Sequence, residues 1–594
     1  MYSSHSVFDS EIILGMRIHK PVSVYLLIIV LVSVILRFWQ LGTNPVGFHR
    51  DEAFLAYNAY SILKTGKDMS GNVLPIHLQS FFWSPAGYSY ASIPFVAIFG
   101  LNEFSSRFAS AVFGSLSVIA TFFFVKILLT LEINLKEKTE KIARELQRAD
   151  ILALISSFVL AISPWHLNAS RIGIEITLVV FLLVCGAISF LLFVKSHRTS
   201  NLILSFFLFA LTFTVYQAPR AFVPFLIPML VFLYRRYISK NHLILTGILY
   251  VLCIVLPLVL IIKSPILSLR IQSLSVFKSP HAQLKIDEAI REDGGRNTHP
   301  LIARVIHNKA VGYGNEIIDN YVSHFSFDFL FRDTALPTRM TIFGAGNMHL
   351  VELLFLLCGI YMIVTRRSRY HILIGIWILL APIGSSLTYD DVPNMQRTLL
   401  VQPALSIAVA LGIYAIARAI NTRKLLIIPL MGLTCIYMFN MLQYLDAYYI
   451  HQPISGAQFR NAGYKELVGE VVKYSSDFKK IIITNAESAP SVFFLFFTSY
   501  DPSAYQRESL ASDKNKSDSI PFSKYEFESD DCPLNTRLGF KKDVPYIPKV
   551  LSTNDSDTLF VQYRDCPVAT ESAQLLHTIF QPNGQKIFQI IKSR

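Results

Sequence analysis

Two adjacent carboxylates, Asp51 and Glu52, stand in the stretch FHRDEAFLAYNAYSILKTG, residues 48–66. They follow closely on the apolar run PVSVYLLIIVLVSVILRFWQLG. A carboxylate at the mouth of a membrane span can take a proton from a hydroxyl or ligate a metal. It can equally cap a helix: Asp51 as N-cap, with Glu52 in the first turn against the dipole. Both readings of the pair stay open on residue chemistry alone. The helix that follows places Ala53, Phe54, Tyr57 and Tyr60 on one face, and Thr65-Gly66 is the expected C-cap.

Three further stretches carry polar groups beside apolar runs. In SPWHLNASRIGIE, residues 163–175, Arg171 and Glu175 are four apart and are expected to share a helix face. His166 in the same stretch is either a ligand or structural. In VYQAPRAFVPF, Arg220 falls at a tight turn, where it either snorkels or meets an anion. In LTYDDVPNMQRTLLVQP, Arg397 begins an apolar run near Asp390, Asp391, Asn394 and Gln396. Its guanidinium suits a lipid phosphate or pyrophosphate. Arg270, Lys278 and Arg304 are further cations of a long loop. No set of His and carboxylates has metal-ligand spacing, so no metal is assigned.

The elements that position these groups are membrane helices. The chain of 594 residues is 52% hydrophobic and only 16% charged, against about 25% charge for a soluble domain. Spans are expected near 21–41, 105–131, 150–167, 173–194, 201–217, 219–234, 243–263, 349–365, 371–388, 399–417 and 425–445. No small-x-small cleavage site follows the first, which reads as a retained anchor. Arg17 and Lys20 precede the first span. Later clusters follow spans two, four, six, eight and ten: Lys136 to Arg148, Lys195 and Arg198, Arg235 to Lys240, Arg366 to Arg369, and Arg418 to Lys424. This parity puts the N-terminus in the cytoplasm and the tail outside. The net charge of +13 is dispersed in those short clusters, which argues against nucleic acid.

The short apolar stretch 86–101 contains Pro94 and is read as an interfacial or re-entrant helix of the outer face. The tail reads as a small α/β domain, with a helix in GYKELVGEVVKYSS and strands in KKIIIT, DTLFVQY and QKIFQIIK. SAPSVFFLFFTSY is either helix or strand. Cys532 and Cys566, the two cysteines of the tail, are candidates for a disulfide if it lies outside the cell.

The stretch from NPVGFHRDEAFLAYNAYSILKTGKD through LPIH to SPAGYSYASIPFVAIFGLNEFSSRFASAVFG resembles the first outer loop of the GT-C membrane glycosyltransferases. The nearest kin are the family 39, protein O-mannosyltransferase-like, and aminoarabinose-transferase-like enzymes. SPWHLNASRIGIE, VYQAPRAFVPFLIPMLVFLYRR and NMQRTLLVQPALSIAVALGIYAI continue the pattern, so the resemblance covers roughly residues 21–445. It implies a polytopic α-helical membrane protein of about eleven transmembrane helices, followed by an extracytoplasmic α/β domain. Residues 1–450, with outer loops 42–104 and 264–348, form the transfer domain, and 451–594 the second domain.

The resemblance further implies inverting transfer of a sugar from a polyprenyl-phosphate donor. The acceptor is an unspecified glycan, lipid or protein at the outer face of the plasma membrane. Asp51 takes the role of catalytic base or acceptor-positioning carboxylate, with Glu52 in support. Arg397 and Arg220 hold the donor phosphate, and Arg171 and Glu175 are supporting polar groups. No cofactor is required, although some members use a divalent metal. The alternatives are a flippase of lipid-linked sugars, and a tail that selects substrates beside an inactive membrane scaffold.

Overall fold

The computed structural model describes residues 20–593, except 80–82, 134–137, 263–273, 295–298, 300, 302–304, 421–422, 488, 511–519, 538–556 and 568–572. Arg17, Lys136, Arg270 and Arg304 therefore lie outside the described residues. The chain divides into two compact units. A helical unit comprises residues up to 39, 110–170 and 175–445; a mixed unit comprises 40–109, 171–174 and 446–594. The expected division at 450 is thus not where chain packing divides. The loop 42–104 groups with the tail, because its helix is buried against tail helices.

In the helical unit every apolar stretch named above is helical, beginning with Lys20–Phe38 and ending with Arg423–Asp446. Among the described residues five helices are long and apolar enough to cross a membrane, or six with one bent pair counted as a span. The chain is a multi-pass membrane protein. Helix Lys20–Phe38 presents Tyr25, Leu27, Ile28, Leu31 and Ile35 outward, a surface that suits lipid rather than water. The bent pair is Thr139–Ile162 and Pro164–Ser170, inclined by 59°. Proline at 164 disfavours helical geometry at Ser163, whose ψ is 121°.

Two buried cations of this unit have partners. Lys126 Nζ lies 2.6 Å from Asp150 Oδ1, both side chains being buried. Arg37 donates to Ser33 Oγ at 2.8 Å and to the Ala161 carbonyl at 3.0 Å, and lies 2.9 Å from His166 Nδ1. His166 is therefore a partner of a buried arginine.

The mixed unit is built around the helix Arg50–Thr65. Nearly all of it is buried from Glu52 to Ile62, so the expected one-sided face is exceeded. It packs on Gly87–Phe99, with Ser89 Oγ donating to the Leu55 carbonyl at 2.8 Å. The stretch 86–101 is thus a short helix of the mixed unit. The other neighbours of the helix Arg50–Thr65 are the tail helices Pro490–Phe497 and Pro502–Leu510. The rings of Phe48 and Phe496 are 4.6 Å apart, and Tyr57 Oη donates to the Tyr500 carbonyl at 3.0 Å.

A hairpin, β1 (His77–Gln79) and β2 (Trp83–Pro85), lies in the first loop. The tail sheet has strands β3 (Lys480–Thr484), β4 (Tyr525–Glu528), β5 (Thr558–Tyr563), β6 (Ala573–Phe580) and β7 (Lys586–Ser593). Their order is β4-β3-β5-β7-β6, with β3 parallel to β4 and β5, and β7 antiparallel to β5 and β6. Ile481 to Ile483 and Leu559 to Val561 are wholly buried, which explains why the central strands read as continuous apolar runs. SAPSVFFLFFTSY resolves as the helix Pro490–Phe497, where Phe493 stacks on Tyr464 at 4.1 Å.

Cys532 and Cys566 form a disulfide across 34 residues. Closing a loop of that length is worth roughly 3–4 kcal/mol through the unfolded state. Reduction, or Cys566→Ser, is expected to destabilise the sheet by about that amount. Faster amide exchange of β5 in hydrogen-exchange mass spectrometry would check it; unchanged exchange would refute it.

Candidate functional site

The helix Arg50–Thr65 begins with a cap that differs from expectation. His49, rather than Asp51, is the N-cap: its Nδ1 accepts the Asp51 N–H at 3.2 Å, and Glu52 Oε1 accepts the His49 N–H at 3.3 Å. This is a capping box with histidine in the usual Ser or Thr position. Asp51 consequently sits in the first turn, one residue before Glu52, the partner of the box at the third helical position. The C-cap is Gly66 in the left-handed region, as expected, with its N–H donating to the Ile62 carbonyl at 2.8 Å.

The two carboxylates have opposite environments. The Glu52 side chain has no exposure. Arg107 Nε donates to its Oε2 at 3.0 Å, Arg460 Nη2 to its Oε1 at 2.7 Å, and the Gly173 N–H to its Oε2 at 2.9 Å. With the His49 N–H, four donors occupy the carboxylate, about as many as its lone pairs accept. Burial by itself would raise the Glu52 carboxyl, but the Arg107 and Arg460 charges outweigh it and hold it below the usual range. Asp51, by contrast, is 24% exposed, its carboxylate 3.4 Å from His49 Nδ1 and 3.9 Å from Arg50 Nε.

The surrounding chain is shaped to this cluster. Arg107 also donates to the Leu41 and Gly47 carbonyls at 3.2 and 2.8 Å and lies over the Phe48 ring. Gly47 has φ +82°, and a Cβ there would meet the Arg460 carbonyl oxygen at 2.7 Å. A Cβ at Gly173 would lie 2.9 Å from the Ser106 carbonyl oxygen and 3.4 Å from Glu52 Oε2. Only glycine lets that backbone N–H reach the carboxylate.

Arg171 and Glu175 do not share a helix face. Residues 171–175 are the break between helices Pro164–Ser170 and Ile176–Ser196, and the two fall in different units. Buried Arg171 donates through Nε to Tyr448 Oη at 3.0 Å and lies over the Tyr448 and Tyr449 rings at 5.1 and 5.5 Å. Glu175 Oε2, in the helical unit, accepts from Gln396 at 3.3 Å.

The other two predicted cations also belong to the helical unit. Arg220 is the second residue of helix Pro219–Tyr234, half-buried, and donates to the Phe213 carbonyl at 3.0 Å. Arg397 is 11% exposed. Its Nη1 donates to Thr388 Oγ1 at 2.8 Å and to the Asp390 carbonyl at 2.5 Å, and its Nη2 lies 3.8 Å from Asp390 Oδ2. The loop before it is pinned by His324, whose Nε2 accepts the Asn394 N–H at 3.2 Å. Burial, together with the charge of Arg397, pushes His324 down to about 4, which keeps that acceptor lone pair available at neutral pH. Among the described residues no three His, Cys, Asp or Glu side chains are grouped to hold a metal ion.

Arg107, Gly173 and Arg460 were not singled out by sequence. Arg107 carried a signal, being a charge at the start of an apolar run. Arg460, 408 residues from Glu52, carried none.

No protein-family model and no curated protein sequence matches this chain. Solved structures do match. ArnT from Cupriavidus metallidurans, crystallised bound to undecaprenyl phosphate, aligns with a TM-score of 0.52 at 11% identity, over 95% of this chain and 97% of its own. The apo state of the same protein aligns with a TM-score of 0.52 over 96% and 98%. The arabinofuranosyltransferase AftD from Mycobacteria aligns with a TM-score of 0.43 over 97% of this chain and 40% of its own. The chain thus shares the fold of ArnT along nearly its whole length.

Removing one cation from the Glu52 cluster leaves a buried charge under-compensated. Arg460→Ala is expected to cost roughly 3–5 kcal/mol, read as a fall in thermal stability of the purified protein. Because the Glu52 carboxyl is depressed in the fold, its contribution is complete above the ordinary value of about 4.3. It is lost as pH falls through the folded value. Glu52→Gln is therefore expected to destabilise at pH 7 and to lack this acid-dependent component. Equal acid sensitivity of the two proteins would refute the coupling.

Proposed function

We propose that this chain is an inverting glycosyltransferase, moving a sugar from a polyprenyl-phosphate donor to an acceptor at the outer face of the plasma membrane. The observation that carries the reading is the contrast between the carboxylates. Glu52 is locked by four donors, while its neighbour Asp51 stays partly exposed in the same helical turn. The ArnT-like fold supports it, since that protein binds undecaprenyl phosphate. The same likeness favours transfer over the flippase alternative.

In this reading eleven helices cross the membrane, with the N-terminus cytoplasmic and residues 451–594 outside. The acceptor hydroxyl attacks the anomeric carbon from the face opposite the phosphate. A new C–O bond forms as the bond to the phosphate oxygen breaks, inverting the centre. Asp51 takes the hydroxyl proton. The bonding electrons leave with the phosphate, and Arg397 and Arg220 offset its charge. Glu52 acts as a positioning residue. Arg171 holds the Tyr448–Tyr449 pair, and Glu175 holds Gln396. No metal is required by this scheme.

Loss of a positioned base typically slows turnover by about 10²–10⁴. Asp51→Asn is expected to fall in that range while keeping wild-type thermal stability, measured as release of polyprenyl phosphate from a polyprenyl-phosphate sugar. Wild-type turnover in that variant would sink the assignment of Asp51.

A further inference from the structure

The helical unit contains a cavity of 840 Å³ that the transfer reading does not use. It lies where helices Glu103–Thr130, Glu352–Thr365 and Gln402–Ala419 end and helices Thr139–Ile162 and Arg369–Leu380 begin. Five cations line it: Lys141, Arg148, Arg366, Arg367 and Arg418. Two carboxylates, Glu132 and Glu145, line it as well, so positive charge prevails. The rest of the wall is largely apolar, including Leu129, Ile133, Met362 and Leu411.

We propose that this cavity binds the phosphodiester headgroup of an anionic phospholipid. Arg148 is fixed at its edge, donating to Tyr370 Oη at 2.9 Å and to Glu145 Oε2 at 3.3 Å, with its guanidinium over the Tyr414 ring. Arg366, Arg367 and Arg418 have no ion-pair partner among the described residues and are exposed. Cations that only set topology need not converge. Here they face one concavity of a size typical of ligand sites. Converging guanidinium groups suit phosphate oxygens. The apolar wall at the end of membrane helices suits the start of acyl chains, which a free phosphate lacks. Basic pockets between membrane helices bind lipid headgroups in this way. By the charge parity of the sequence this is the cytoplasmic leaflet. The inference is independent of the role given to Asp51.

The test uses the full chain in nanodiscs of phosphatidylcholine doped with phosphatidylglycerol, with co-purifying lipid counted by native mass spectrometry. Wild type should retain phosphatidylglycerol in preference to phosphatidylcholine. The triple variant R366Q/R367Q/R418Q should lose that preference by roughly tenfold to a hundredfold. K195Q/R198Q, at a different basic cluster, should keep it. Arg418→Gln alone should shift it in the same direction by less, which covers failure of the triple variant to fold. Unchanged retention in Arg418→Gln and in a folded triple variant would overturn the proposal. Displacement of the lipid by millimolar inorganic phosphate would also overturn it, by assigning the site to a soluble anion.

Discussion

The mixed unit depends on one buried carboxylate. Glu52 draws together the N-cap backbone at His49, the end of a long helix at Arg107, a helix break at Gly173 and the start of the tail at Arg460. Two arginines around one fully buried acid cost desolvation, and the arrangement is tolerable because four donors meet the carboxylate. Its geometric consequence is local: with Glu52 facing inward, the first turn of the helix turns Asp51 to a place where it retains exposure.

That arrangement explains why the loop 42–104 and the tail form one compact unit. The helix Arg50–Thr65 contributes buried aromatic surface through Phe54 and Tyr57, and the tail covers it with Pro490–Phe497 and Pro502–Leu510. The tail is thus part of what holds the candidate base. A substrate-selecting module would need no such burial of the loop helix. In the helical unit the same rule recurs on a smaller scale, where Arg37 and Lys126 each find buried partners.

What sequence disclosed was set by range. Apolar length alone located the helices from Lys20–Phe38 to Arg423–Asp446, and buried runs located β3, β5 and β7. Strand β6 escaped because AQLLHTIF is largely exposed at a sheet edge and lacks the apolar run of its neighbours. Strand β4, of four residues, was too short to register. The pairing of Arg171 with Glu175 on a helix face failed because Gly173 is where the chain must break to reach Glu52. The carboxylates themselves were legible, as acids beside a span. Which of them is buried was not, because Arg460 is distant in sequence and its approach is a property of tertiary packing.

In the proposed reaction Asp51 is the proton acceptor and Glu52 its support. The acid limb of the pH–turnover profile tests this most directly when measured in both single variants. Glu52→Gln should lower turnover yet keep the acid limb, because the titrating base is still present. Asp51→Asn should leave residual turnover without that limb. An acid limb that vanishes in Glu52→Gln and persists in Asp51→Asn would contradict the account.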